Sequence, residues 1–131
     1  GKNLQGQVGL GNKAADSIAT PQPVKGLSDA LMMAAGQGHT CAVRKTGAVA
    51  CWGGNSFGES GLAPANDVLA INPVDVGDKA LQVAVGEDHS CALRQDGSVW
   101  CWGENKHGQL GDGGKADSHA PLLVVGSAQK K

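Results

Sequence analysis

Tyrosine is absent from this 131-residue chain and phenylalanine occurs once, so side-chain bulk is scarce. Neither charge sign dominates: 11 Lys plus Arg stand against 12 Asp plus Glu, which leaves no field to draw in nucleic acid or an anionic membrane. Neither is expected as a partner. No stretch approaches the ~20 apolar residues of a membrane span. The opening GKNLQGQVGLG lacks the charged start and apolar middle of a signal peptide, so the signal of an exported form has either been removed or lies outside this sequence. What the chain has in excess is glycine, 21 residues, which means frequent turns and suits many short strands.

A repeat organises those glycines. GQGHTCAVRKTGAVACWGGNSFGESGLA, residues 36–63, lies without gaps over GEDHSCALRQDGSVWCWGENKHGQLGDG, residues 86–113. His39 maps to His89, Cys41 to Cys91, Gly47 to Gly97, Trp52 to Trp102 and Asn55 to Asn105, each at an offset of 50. Gly1, Asn3, Gly6 and Gly9 match Gly53, Asn55, Gly58 and Gly61 at an offset of 52. The expected division is an incomplete unit over 1–30, units over 31–80 and 81–126, and a tail over 127–131. A period near fifty residues points to a repeat architecture before any local structure is considered.

Within a unit the apolar spacing is two and the breakers are Gly and Pro, which favours strands. Nine are predicted: 21–25, 31–36, 40–45, 48–53, 71–76, 81–86, 90–95, 98–103 and 121–126. A competing helical reading of SDALMMAA is weakened by its counterpart DKALQVAV, where Val83 and Val85 prefer a strand. Arg94-Gln95-Asp96-Gly97-Ser98 reads as a three-residue hairpin loop with Gly97 in the left-handed position, and Arg44 to Ala48 repeats it. With 94 opposite 98, Cys91 falls across from Cys101, and in the first unit Cys41 across from Cys51.

Opposed residues of an antiparallel pair lie within reach of a disulfide, so two intra-hairpin bridges are expected, and with them an oxidising home: extracellular, cell-surface or periplasmic. Both faces of the hairpin are apolar: Cys91, Leu93, Val99 and Cys101 on one, Ala92, Trp100 and Trp102 on the other. A small sheet with two apolar faces must be sandwiched, as sheets stacked around an axis are. The fold class is therefore all-β, with propeller blades of four antiparallel strands.

The strings AAGQGHTCAVRKTGAVACWGGNSFGESG and VAVGEDHSCALRQDGSVWCWGENKHGQLGDG resemble the regulator of chromosome condensation repeat. That pattern runs A-x-G-x-x-H, a short strand, D-G, a strand ending in W-G, then N-x-x-G-Q-L-G. The resemblance implies a propeller of usually about seven blades. It also implies action by protein contact, of the kinds found in the family: nucleotide exchange on a small GTPase, chromatin docking, β-lactamase inhibition and adhesion. The cysteine-paired version is similar to bacterial exported proteins. Glu59-Ser60, standing where Gln-Leu is expected, suggests a less regular loop there. Two blades and one strand cannot close a ring, so assembly through blade edges is expected, with a protein partner, copies of the chain or further blades.

No catalytic residue, metal or cofactor is expected. The C-x9-C spacing lacks a zinc knuckle, no serine sits in a nucleophile elbow, and the carboxylates of Gly111 to Asp117 miss the calcium-hand spacing. His39 and His89 recur in both units and read as structural groups bonding a loop backbone. Trp52 and Trp102 read as packing between blades, and Asn55 and Asn105 as structural positions of the repeat. The positions that differ between units are the binding candidates: Phe57 against Lys106-His107 in the Asn loops, and Glu87 and Asp88 in the turn before His89.

Overall fold

The computed structural model describes residues 1–127. Among these there is no helix. β1 (Ala30–Ala35), β2 (His39–Arg44), β3 (Val49–Gly53) and β4 (Val68–Val74) form one antiparallel sheet in sequence order. A second sheet repeats it with β5 (Ala80–Val85), β6 (His89–Arg94), β7 (Val99–Gly103) and β8 (Ser118–Leu123). These are two propeller blades, a part of a propeller. The tail call over 127–131 lies, but for Ser127, outside the described residues.

Among the described residues eight strands form rather than nine. Residues 21–25 form no strand: 21–24 have no regular structure and Lys25 opens a turn, its N–H donating to Gly9 C=O at 2.8 Å, so no ladder forms. An extended segment becomes a sheet strand only through its ladder of hydrogen bonds. β4 and β8 each begin three residues earlier than the apolar pattern indicates. Val68 and Ser118 pair with Gly53 and Gly103 across a register shift, so the partner strand sets the start. Of the helical competitor, residues 28–35, Ala30–Ala35 are strand β1.

Both hairpins close as their glycines require. Arg44 N–H donates to Ala48 C=O at 2.9 Å and Arg94 N–H to Ser98 C=O at 2.9 Å. Gly47 and Gly97 take φ of 85° and 86°, a region that costs an L residue with a Cβ about 1–2 kcal/mol. The resulting register sets Cys41 opposite Cys51 and Cys91 opposite Cys101, and both pairs are disulfides. Arg44 and Arg94, one repeat apart, each pair with an Asp, though not at equivalent positions: Arg44 Nε lies 2.8 Å from Asp29, and the Arg94 guanidinium lies 3.3 Å from Asp96 and 3.8 Å from Asp78. Arg94 also stacks over Trp100, 5.1 Å from the ring centre.

The core lies between the two sheets. Cys41, Val43, Val49 and Cys51 on the facing side of the first sheet meet Val83, Ala92 and Trp102 on the facing side of the second. β5 is the strand of the second blade that approaches β1 and β2. Residues 1–27 lie against the other face of the first sheet, where Val24 and the Trp52 ring both come within a few ångströms of Gly9. Among the described residues, no comparable segment covers the far face of the second sheet. Cys91, Leu93 and Val99 are partly exposed there, whereas their counterparts Cys41, Val43 and Val49 are at most 1% exposed.

Candidate functional site

Three equivalent loops line one end of the molecule, each organised by an asparagine. Asn55 Nδ2 donates to Leu62 and Ala63 carbonyls at 3.1 Å, and its Oδ1 accepts the Ser60 N–H at 3.1 Å. Asn105 does the same work with Ala116 C=O, Asp112 and the Leu110 N–H, and Asn3 with Asn12, Ala15 and the Val8 N–H. A single side chain with two donors and an acceptor thus crosses each loop and fixes its shape.

The loop at Glu59-Ser60 is as regular as its neighbours. Glu59 Oε2 accepts the Phe57 N–H at 2.8 Å, as Gln109 Oε1 accepts that of His107 at 2.8 Å and Gln7 Oε1 that of Gln5 at 3.0 Å. Only the acceptor oxygen of the expected Gln is needed for the turn, and Glu supplies one. What differs is charge: Glu59 is buried, and burial first, with the Asp88 carboxylate adding to it, pushes its carboxyl above the usual range.

Of the binding candidates, Lys106 and His107 are exposed at the tip of the third loop, while Phe57 is half-buried in the second. Glu87 is exposed and Asp88 partly buried in the turn before His89. Burial, then the Glu104 and Glu87 carboxylates, raise the Asp88 carboxyl. Asp88 also borders a shallow recess with Lys2, Gln5, Gln7 and Gln37, so the first loop and the two pre-His turns meet at one end. Asp112 and Asp117 are tied to their own loop through Oδ1, accepting from Gly114 N–H, Asn105 Nδ2 and Asn105 N–H. Among the described residues no group of three or more His, Cys, Asp or Glu could hold a metal ion.

The repeated histidine, hydroxyl and tryptophan meet at the seam between the sheets. His39 is fully buried, and its Nε2 lies 2.7 Å from Ser90 Oγ. That hydroxyl spends its proton on the Glu59 carbonyl at 3.0 Å, so His39 Nε2 must carry the hydrogen it shares with Ser90. Trp102 Nε1 donates to the same Glu59 carbonyl at 3.0 Å. His39 Nδ1 is buried with no partner. Burial, with the nearby His89 second, lowers the His39 pKa to about 4. The expected contact of His39 with a loop backbone is therefore relayed through a hydroxyl.

In the first blade the equivalent carbonyl, that of Gln7, is used in the same way. Thr40 Oγ1 donates to Gln7 C=O at 2.9 Å and Trp52 Nε1 donates to it at 3.0 Å. Trp52 and Trp102 are both fully buried. Sequence reasoning passed over Thr40 and Ser90, although a hydroxyl following His in both units at the repeat spacing was a readable signal. It also passed over Gln7 and Glu59, whose part is played by main-chain oxygen and leaves no mark on residue type.

Comparison with known proteins agrees with this geometry. The profile of the regulator of chromosome condensation (RCC1) repeat matches residues 1–43 and 96–131, and a second profile for the repeat matches 33–59 and 81–109. The human probable E3 ubiquitin-protein ligase HERC3 is 44% identical over 69 residues, 51% of this chain and 6% of that protein. Human protein RCC2 is 34% identical over 71 residues, 53% of this chain and 13% of that protein. Yeast RCC1 (Prp20), solved bound to Kap60, overlays 95% of this chain with a TM-score of 0.85 at 22% identity. Prp20p of Saccharomyces cerevisiae, solved with its binding properties to Gsp1p and histones, does so at 0.84 and 22%. The chain spans about a third of each of those structures, 32% and 33%. With repeat profiles matching more than half of its residues and two blades carrying the loops, seam and register described above, this chain belongs to the RCC1 repeat family.

Proposed function

We propose that this chain is a protein-binding or scaffolding propeller module of an exported or surface protein, completed by further blades. The observation that carries the reading is the unequal cover of two like faces. Cys41, Val43 and Val49 are sealed by the second sheet, while Cys91, Leu93 and Val99 remain partly open. An apolar sheet face left open favours burial against another polypeptide. The exposed loop residues Lys106, His107 and Glu87, with Asp88 and Phe57, offer a varied rim on a rigid frame, as contact surfaces on repeat proteins do. Binding of Kap60, Gsp1p and histones by the yeast relative supports protein contact as the mode of action. The two disulfides support an oxidising compartment. No catalytic role is assigned.

A second reading is a self-assembling structural subunit. It is favoured by the likeness of the loops at Asn3 and Asn105, which would let one copy's third loop take the place of another's first. Native mass spectrometry separates the readings. Capture of a foreign protein by a monomer supports the module, a closed ring of copies supports the subunit, and a stable monomer that binds nothing from its source contradicts both. Counting thiols before and after reduction tests the compartment: four free thiols in freshly purified native protein would remove the exported setting.

A further inference from the structure

The chain contains two Asp-Gly pairs, Asp96-Gly97 and Asp112-Gly113, and the fold treats them differently. Each aspartate caps its turn in the same way: Asp96 Oδ1 accepts the Ser98 N–H at 3.0 Å, and Asp112 Oδ1 accepts the Gly114 N–H at 3.0 Å. Both carboxyls are held below the usual range, Asp96 first by the Ser98 hydroxyl and Asp112 first by the Gly114 N–H. Neither turn type nor charge state separates the pairs.

The glycine N–H does. Gly97 N–H donates to Arg94 C=O at 3.0 Å inside the β6–β7 hairpin, whereas among the described residues Gly113 N–H donates to no acceptor. Asp96 is also held at both oxygens, with Ser98 Oγ 2.6 Å from Oδ1 and the Arg94 guanidinium 3.3 Å from Oδ2. Asp112 Oδ1 takes a second bond from Asn105 Nδ2 at 3.0 Å, but Oδ2 takes none among the described residues. The loop around it is open: Gly113, Gly114 and Lys115 are exposed, and a Cβ added at Gly113 would meet nothing within 4 Å.

We propose that Asp112-Gly113 is a modification site at which aspartate isomerises spontaneously to isoaspartate, and that the hairpin hydrogen bond shields Asp96-Gly97 from the same reaction. Gly113 N attacks Asp112 Cγ. The N–Cγ bond forms, one Cγ–O bond breaks, and that oxygen leaves as water with the carboxyl proton and the amide proton. Water then opens the five-membered imide. Addition at Cγ restores aspartate, while addition at the Asp112 main-chain carbonyl carbon routes the chain through Cβ and leaves that carbonyl as a carboxylate. Water is the only co-reactant and nothing is oxidised. Glycine leaves the attacking nitrogen uncrowded by a Cβ, and an N–H aimed at Arg94 is turned away from its own aspartate. The change reaches the third loop, because Asn105 fixes that loop through Asp112, Ala116 and the Leu110 N–H. Isoaspartate lengthens the main chain by a methylene and withdraws the Oδ1 acceptor, which loosens the loop that carries Lys106 and His107. The inference is independent of the function proposed above.

The test ages the whole natural chain in mildly acidic buffer at body temperature, beside a sample held unfolded in urea. Peptide mapping with electron-transfer fragmentation then distinguishes isoaspartate from aspartate at each site. In urea the two sites should isomerise within about twofold of each other, since glycine follows both. In the folded chain residue 112 should stay within about fivefold of its unfolded rate, while residue 96 falls at least about tenfold below its own, because its hairpin must open first. In the isomerised fraction the Leu110 N–H should exchange with solvent at least about threefold faster than in the unmodified chain, having lost a fixed acceptor. Equal rates at the two sites of the folded chain, or a faster rate at 96 than at 112, would overturn the proposal. Unchanged exchange at Leu110 would overturn its reach into the third loop.

Discussion

Glu59 and His39 are both buried at the seam, joined through Ser90 and the Glu59 carbonyl, and their titrations push stability in opposite directions with pH. The Glu59 carboxyl is raised by burial and by Asp88, so the folded chain holds this proton longer than the unfolded chain does. The stability it contributes is present below pH 4.5 and is lost as pH rises through the higher folded value. Glu59→Gln keeps the oxygen that accepts the Phe57 N–H and removes the charge. It should therefore raise stability at pH 7 by about 1 kcal/mol, a gain that fades toward pH 4, measured by urea unfolding at both pH values. His39 has the reverse sign. Its folded pKa of about 4 lies below the ordinary 6.5, so stability present above pH 6.5 is lost as pH falls toward 4. The full loss is about 3 kcal/mol. Unfolding curves from pH 7 to 4 should show this fall in the natural chain and a flatter profile in His39→Gln, which keeps a donor near the Nε2 position.

At the level of the strand and hairpin, glycine identity and cysteine register do most of the specifying. Gly47 and Gly97 occupy the same left-handed position, with φ of 85° and 86°. Alanine at Gly47 bears the backbone cost of that region, about 1–2 kcal/mol. It also adds a Cβ that would fall 2.7 Å from Lys79 Cβ, so the turn must move away from the start of β5. The expected total loss is about 2–4 kcal/mol, checked by chemical denaturation of Gly47→Ala beside the natural chain. The hairpins were legible because the loop type fixes the register, and the register alone brings Cys91 to Cys101. The outer strands were less so, since β4 and β8 are set by pairing with Gly53 and Gly103 rather than by their own pattern. The seam was half legible: His and Trp announced themselves by recurrence, while the oxygen they converge on belongs to the main chain, where Gln7 and Glu59 differ in side chain without consequence for the bond.

For the whole molecule, two units alike in sequence acquire different energetics from their place in the array. Val43 and Leu93 are the same repeat position on the same face of their sheets. Val43 is 1% exposed between the blades, against a cluster that includes Ala92 and Trp102, and Leu93 looks out from the second blade. A carboxylate at 43 would have to be desolvated with no cation to pair with it in that cluster, so Val43→Glu should cost more than about 4 kcal/mol and unfold the chain or part the blades. The same charge at 93 can stay in water, and Leu93→Glu should change stability by less than about 1 kcal/mol. It should also act where Val43→Glu cannot, by weakening whatever association the open face supports, since any sheet that covers Leu93 must then bury the carboxylate. Urea unfolding gives the first comparison, and sedimentation velocity of the natural chain and Leu93→Glu over a concentration series gives the second. If both substitutions proved equally destabilising, the second face would already be covered in solution by something folded onto it. If Leu93→Glu associated as strongly as the natural chain, contact between molecules would run through another surface, such as the exposed Leu31 and Leu81 of β1 and β5.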